Sequence, residues 1–269
     1  MFSRRGPIPA RRIPPNLAWL ALEPVRAVAE LGLGTLLHRP LARICPHGDG
    51  HPVLILPGLG AHDVHTLPMR RFVARLGYEA LPWQQGFNLG AREGLDELLR
   101  KLEALIDAAT SKRHKKVSLI GWSLGGIFAR ELAKRAPAQV RQVITLGSPF
   151  GGHPGATHAT LVYEWLSGRE AGDRETIERV RVAPPVPFTS IFSKTDGIVA
   201  WPSSVQPTSE MSENIAVSVA SHLGLITNPV VLYIVANRLA QPEGHWRPHQ
   251  PIRPLRLLHP ARARRETHP

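Results

Sequence analysis

Gly121-Trp122-Ser123-Leu124-Gly125 constrains this chain more tightly than any other stretch. The five residues stand between an apolar run at 117–120 and a helix-like run at 124–136, which Pro137 stops. In a strand–turn–helix unit with serine at the apex, helix and strand pack closely while the hydroxyl projects above the sheet edge. That geometry admits only small residues around the serine, and glycine at 121 and 125 meets the demand. A bare G-x-S-x-G recurs by chance, so the flanking strand and helix are part of the signal.

The rest of the chain alternates in the same way. Strand-like runs at 52–56, 78–83, 117–120, 140–146, 188–193 and 215–220 are separated by helix-like stretches at 65–76, 91–110, 124–136 and 223–239. The clearest helix carries Leu95, Leu98, Leu99, Leu102, Leu105, Ile106 and Ala109 at i, i+3, i+4, i+7, i+10, i+11 and i+14. Continuous apolar strands alternating with amphipathic helices predict an α/β architecture: a mostly parallel central sheet with helices on both faces. Residues 151–186 break the pattern with Gly151-Gly152, Pro184-Pro185 and a charged run, and read as a small insertion outside the sheet.

Charge divides the chain. The formal net charge is +12, and most of it sits at the ends. Residues 1–15 hold Arg4, Arg5, Arg11 and Arg12 without an acid, and 245–269 hold six arginines against Glu266. The expected organisation is a basic arm at 1–16, a domain at 17–244 with a flanking amphipathic helix at 17–37, and a basic tail at 245–269. Such arms suit peripheral contact with an anionic membrane, and nucleic acid is not the expected partner. The apolar stretch 17–37 is interrupted by Glu23, Arg26 and Glu30, so neither a spanning helix nor a signal peptide is expected. The expected location is cytoplasmic, with association to a membrane surface left open. The single cysteine, Cys45, has no C-x-x-C partner, and neither a metal nor an organic cofactor is called for.

Serine-based ester hydrolysis needs a nucleophile, a base, a carboxylate that orients the base, and donors for the oxyanion. Ser123 is the nucleophile candidate. Asp196 follows a strand in an Asp-Gly turn, and Asp173 in the insertion is the second choice. Thirteen histidines are present, and His222 is the one that follows both Asp196 and a predicted strand. The order Ser, Asp, His is the one expected for a serine on such an elbow. One oxyanion donor should be the Leu124 N–H, at a helix N-terminus. The other should come from Pro57-Gly58-Leu59-Gly60, with Leu59 preferred and Gly60 the alternative. Trp83, Phe87, Asn88 and Trp122 are candidates either to line an acyl pocket or to pack in loop and core.

Leu-Pro-Gly-Leu-Gly, Gly-Trp-Ser-Leu-Gly-Gly, Gly-Ser-Pro-Phe-Gly-Gly, Thr-Asp-Gly-Ile-Val and Ser-His-Leu-Gly-Leu resemble, in order, the motifs of bacterial lipases and esterases of the α/β-hydrolase superfamily. The resemblance covers roughly 50–240. It implies an α/β-hydrolase fold, a Ser123–His222–Asp196 triad, Leu59 at the first oxyanion position, and a lid or cap at 151–186. Such lipases usually carry His-Gly in the oxyanion loop and often histidine before the nucleophile, where this chain has Pro57-Gly58 and Trp122. Substrate identity is therefore left open. The expected activity is hydrolysis of carboxylic esters through an acyl-enzyme. Acyl transfer by the same triad, or a non-catalytic scaffold using its basic arms, are the rival readings.

Overall fold

The computed structural model describes residues 15–151 and 174–250. Six parallel strands form one sheet in the order β2-β1-β3-β4-β5-β6. They are β1 (Pro52–Leu56), β2 (Glu79–Pro82), β3 (Val117–Trp122), β4 (Val140–Leu146), β5 (Phe188–Ser193) and β6 (Ser212–Val217). The helices are α1 (Leu17–Ile44), α2 (Asp63–Arg75), α3 (Leu95–Arg113), α4 (Leu124–Arg135), α5 (Arg174–Arg181) and α6 (Pro229–Leu239), with single 3₁₀ turns at Trp201–Ser204 and Leu223–Ile226. This is the α/β-hydrolase architecture.

The unbroken apolar strands follow from burial on both sheet faces. In β1, Val53 and Ile55 join one core with Met69, Phe72 and Val73 of α2 and the apolar side of α6. Leu54 and Leu56 join the other, with Leu99, Leu102 and Ile106 of α3 and Phe128 and Leu132 of α4. Strand alternation thus feeds two helix layers at once.

Strand order places the site. After β1 the chain moves outward to β2, then crosses back to β3 on the other side of β1. The loops that leave the carboxyl ends of β1 and β3 therefore diverge and open a crevice between them. Residues 57–61 and Ser123 lie in those two loops.

Several boundaries differ from the sequence expectation. The last strand spans Ser212–Val217 rather than 215–220, so His222 sits beyond a loop instead of at the strand end. The closing helix is split: Pro229 has no N–H for an upstream carbonyl, so a new helix starts there, capped by the Asn228 side chain. The flanking helix runs to Ile44 and passes through Pro24 and Pro40. Of the expected insertion, 152–173 lies outside the described residues, as do the basic arm at 1–14 and the tail from 251; the part that follows contains α5.

Candidate functional site

Ser123 occupies the turn between β3 and α4 with φ 52° and ψ −122°. That left-handed φ is strained for a side-chain-bearing residue and is held by the surrounding packing. A Cβ on Gly125 would stand 2.5 Å from the Leu56 carbonyl oxygen and 2.6 Å from that of Pro57. Backbone cannot yield there, which is why the elbow takes glycine. The Ser123 N–H donates to the Leu146 carbonyl at 2.8 Å, tying the elbow to β4.

Asp196 and His222 come together across the loops after β5 and β6. His222 Nδ1 lies 2.6 Å from Asp196 Oδ2, with both side chains buried. The other carboxylate oxygen accepts from the Ile198 and Val199 N–H groups at 2.8 and 2.7 Å, which fixes its plane. Burial pushes the His222 imidazolium toward deprotonation. The Asp196 charge and hydrogen bond, with the Glu23 charge behind them, outweigh it, and the net shift is upward from the usual histidine value. Trp122, beside Ser123, donates its indole N–H to the His222 carbonyl at 3.0 Å and links elbow to base loop.

The loop after β1 reaches the serine: a Cβ on Gly58 would lie 3.2 Å from the Ser123 Cβ. The Gly60 N–H is already committed to the Asn88 carbonyl at 2.7 Å. Among the described residues the Leu59 and Leu124 N–H groups have no acceptor. Asn88 is fully buried and braces this loop, donating to the Pro57 carbonyl at 2.8 Å and accepting from Gly90. Trp83 is also buried, its indole N–H satisfied by the Gly86 carbonyl. Phe87 is the exposed member of the four aromatic and amide candidates, its ring 5.1 Å from that of His62. Asp173 lies outside the described residues.

A second Ser–His–Asp constellation sits at the opposite end of the sheet. Ser118 Oγ is 2.8 Å from His51 Nε2, and His51 Nδ1 is 2.5 Å from Asp49. Arg141 takes the other Asp49 oxygen at 2.7 Å. Ser118 is wholly buried inside β3, and no helix starts beside it. Burial, reinforced by Arg141, pulls the His51 pKa down. This is a packing network that satisfies buried polar groups. Ser118→Ala should leave ester turnover within about twofold while lowering stability by about 1–2 kcal/mol for the orphaned His51 nitrogen. Parallel urea titration and initial-rate assays check it, and loss of turnover without loss of stability contradicts it.

Residues 52–218 match the family model for palmitoyl protein thioesterase, more than half of the chain. The chain belongs to the palmitoyl protein thioesterase family. Among curated proteins it is 29% identical over 116 residues to a pimeloyl-[acyl-carrier protein] methyl ester esterase of Shewanella sp. (strain MR-7), covering 42% of this chain and 41% of that one. It is 28% identical over 108 residues to the mouse serine hydrolase BPHL, covering 38% and 37%. The match thus spans about two-fifths of the length of these relatives. Aspergillus fumigatus lipase B superposes with a TM-score of 0.57 at 19% identity, over 73% of this chain and 54% of the lipase. A Paleococcus ferrophilus monoacylglycerol lipase gives 0.52 at 13%, over 72% and 96%. These two structures establish the fold that this member of the thioesterase family adopts.

Sequence reasoning missed one set of residues. Glu23, Arg26 and Glu30 count in the sequence only as charges that break an apolar stretch, yet all three reach the Asp196 and His222 loops. Their spacing of i, i+3 and i+7 within the apolar stretch 17–37 places them on one helix face, but does not say what that face meets.

Proposed function

We propose that this chain hydrolyses carboxylic esters and thioesters of apolar acyl groups through Ser123, His222 and Asp196. The observation that carries the reading is the buried 2.6 Å His222–Asp196 pair, linked through Trp122 to a serine held at positive φ. Asp196 accepts from Nδ1–H and so leaves the His222 Nε2 lone pair as the base. His222 takes the Ser123 proton as Oγ attacks the acyl carbonyl. The resulting oxyanion accepts from the Leu59 and Leu124 N–H groups, the latter at the positive end of α4. The tetrahedral intermediate collapses, the protonated His222 gives its proton to the departing alcohol or thiol, and the acyl group stays on Ser123. Water, deprotonated by His222, then releases the carboxylic acid and restores the serine.

Palmitoyl thioesters, named by the family, and the pimeloyl methyl ester of the Shewanella relative share a carbon chain on a thioester or ester carbonyl. Exposed Phe87 is the candidate acyl contact, and buried Asn88 supports the oxyanion loop from behind through its bond to the Pro57 carbonyl. No step needs a metal or organic cofactor. A fluorophosphonate probe tests the reading: one label on Ser123, blocked by prior incubation with a long-chain acyl thioester, is the expected result. Labelling elsewhere, or none on folded protein, overturns it. Added alcohol acceptors in a turnover assay with the acyl thioester separate hydrolysis from acyl transfer by the product formed.

A further inference from the structure

We infer that α1 is a clasp that sets the position of the catalytic acid and base, and that Glu23 is its positioning residue. This rests on the Ser123–His222–Asp196 reading. The Glu23 carboxylate is buried, and it accepts three backbone N–H groups: Gly197 at 2.9 Å, His222 at 2.9 Å and Leu223 at 3.1 Å. One side chain thus grips the residue after the acid and the base itself. Arg26, one turn on, donates to the Thr195 carbonyl at 2.7 Å and to its hydroxyl at 2.8 Å. Glu30, a further turn on, accepts from the Ser221 N–H at 2.9 Å and its hydroxyl at 2.7 Å. Three successive turns therefore hold the residues flanking Asp196 and His222. The contact is close: a Cβ on Gly197 would stand 2.5 Å from the Leu20 nitrogen. Nothing in the fold demands a buried carboxylate here, and desolvating one is costly. Its three donors both satisfy it and fix the two loops relative to each other.

The charge matters as well as the shape. The groups around the imidazole are Asp196 from the β5 loop, Glu23 and Glu30 from α1, and Arg26 beside Glu23. Glu23 favours the protonated imidazole, so Glu23→Gln should let His222 deprotonate more easily. The base must be neutral, so the acid limb of the kcat/KM profile should move to lower pH. Misplacement of the pair should lower kcat by about 10- to 100-fold with KM nearly unchanged. Glu23→Asp keeps the charge on a shorter arm and should lose kcat without moving the limb. Should Glu23→Gln not fold, Glu23→Asp carries the test. A wild-type kcat and unshifted limb in a folded Glu23→Gln, or wild-type kcat in Glu23→Asp, overturns the inference. Ser123→Ala, run alongside, separates the two failures: if it keeps turnover the triad reading fails, and if it is dead the Glu23 result stands by itself.

The outward side of α1 carries a second inference. From Leu17 to Leu36 its exposed residues are Leu, Ala, Val, Pro and Gly with one Thr, because the charges Glu23, Arg26 and Glu30 are spent inward. Leu17, Val25, Val28 and Leu36 are each about 70% exposed. Val25, Val28, Gly32, Leu36, Arg39 and Arg43 follow one helical stripe, so the apolar face runs into cations. Arg39, Arg43, His47 and Arg75 surround a depression of about 350 Å³, and four arginines precede α1 in the sequence. An apolar stripe that runs into a cationic end is complementary to an anionic phospholipid surface. The geometry points to α1 lying on such a surface by this face. Co-sedimentation with vesicles of phosphatidylcholine, with and without phosphatidylglycerol, is the test. Binding should require the anionic lipid and weaken by about tenfold or more in the Val25→Asp/Val28→Asp/Leu36→Asp variant. Unchanged binding by that variant overturns the inference. So does absence of binding, including the case where the wild type is a dimer that the substitutions dissociate.

Discussion

Ser123→Ala should abolish turnover of acyl esters and thioesters, by about 10⁴-fold or more, while the protein stays folded. The size follows from the division of labour at the site. In the proposed triad His222 and Asp196 have no function without a proton to take from the nucleophile, so removing Ser123 should disable all three together. Only oxyanion donors and binding remain, which is why a residual rate above that in water is expected. Stability should hold or rise, since alanine removes a buried hydroxyl. Ser123 sits at φ 52°, though, and alanine keeps that strain. Thermal unfolding and single-turnover acylation, measured on the same preparation, check both halves. Retained hydrolysis in a folded variant would falsify the assignment of the nucleophile.

Much of this arrangement was legible before any coordinates. β1, β4 and β5 lie where their apolar runs place them, because a strand buried on both faces must be apolar throughout and a turn residue must end it. Ser123 and Asp196 could be singled out because each follows a strand in a short turn, whereas His222, which meets Asp196, lies beyond a loop after β6 and was reached through its place in the chain order. Less legible was anything fixed by contacts distant in sequence. Asn88 and Trp122 read as pocket candidates, since an amide or an indole does not reveal from sequence which backbone carbonyl it serves. Glu23 lies 199 residues from His222, and no local pattern announces that its carboxylate meets that backbone. The Ser118–His51–Asp49 network shows the opposite hazard: residue types alone would admit it, and its Asp, His, Ser order and strand-interior setting separate it from Ser123.

Arg130 should prove the most costly non-catalytic side chain to neutralise. It lies on α4, about two turns beyond Ser123, and is fully buried. Its guanidinium carbon stands 4.0 Å from the Phe150 ring centre and 4.7 Å from that of Phe188. It donates to Gln206 at 2.7 Å and to the carbonyls of Val182 and Val180 at 3.1 and 3.3 Å. Those carbonyls belong to the end of α5, where helical acceptors lack partners and the dipole is negative. Burial pulls the guanidinium pKa down to about 10, which still leaves it charged at neutral pH. One cation therefore joins α4 to β5, to the segment before β6, and to the end of the connection between β4 and β5. Arg130→Met keeps the apolar stem but strands three acceptors and removes two cation–π contacts. The expected loss is about 3 kcal/mol, read as a lower urea midpoint at unchanged slope. Arg130→Lys keeps a charge without the planar fork and should fall between Met and wild type. Equal midpoints for Met and wild type would mean that the acceptors find other donors, and that the cation contributes nothing beyond its bulk.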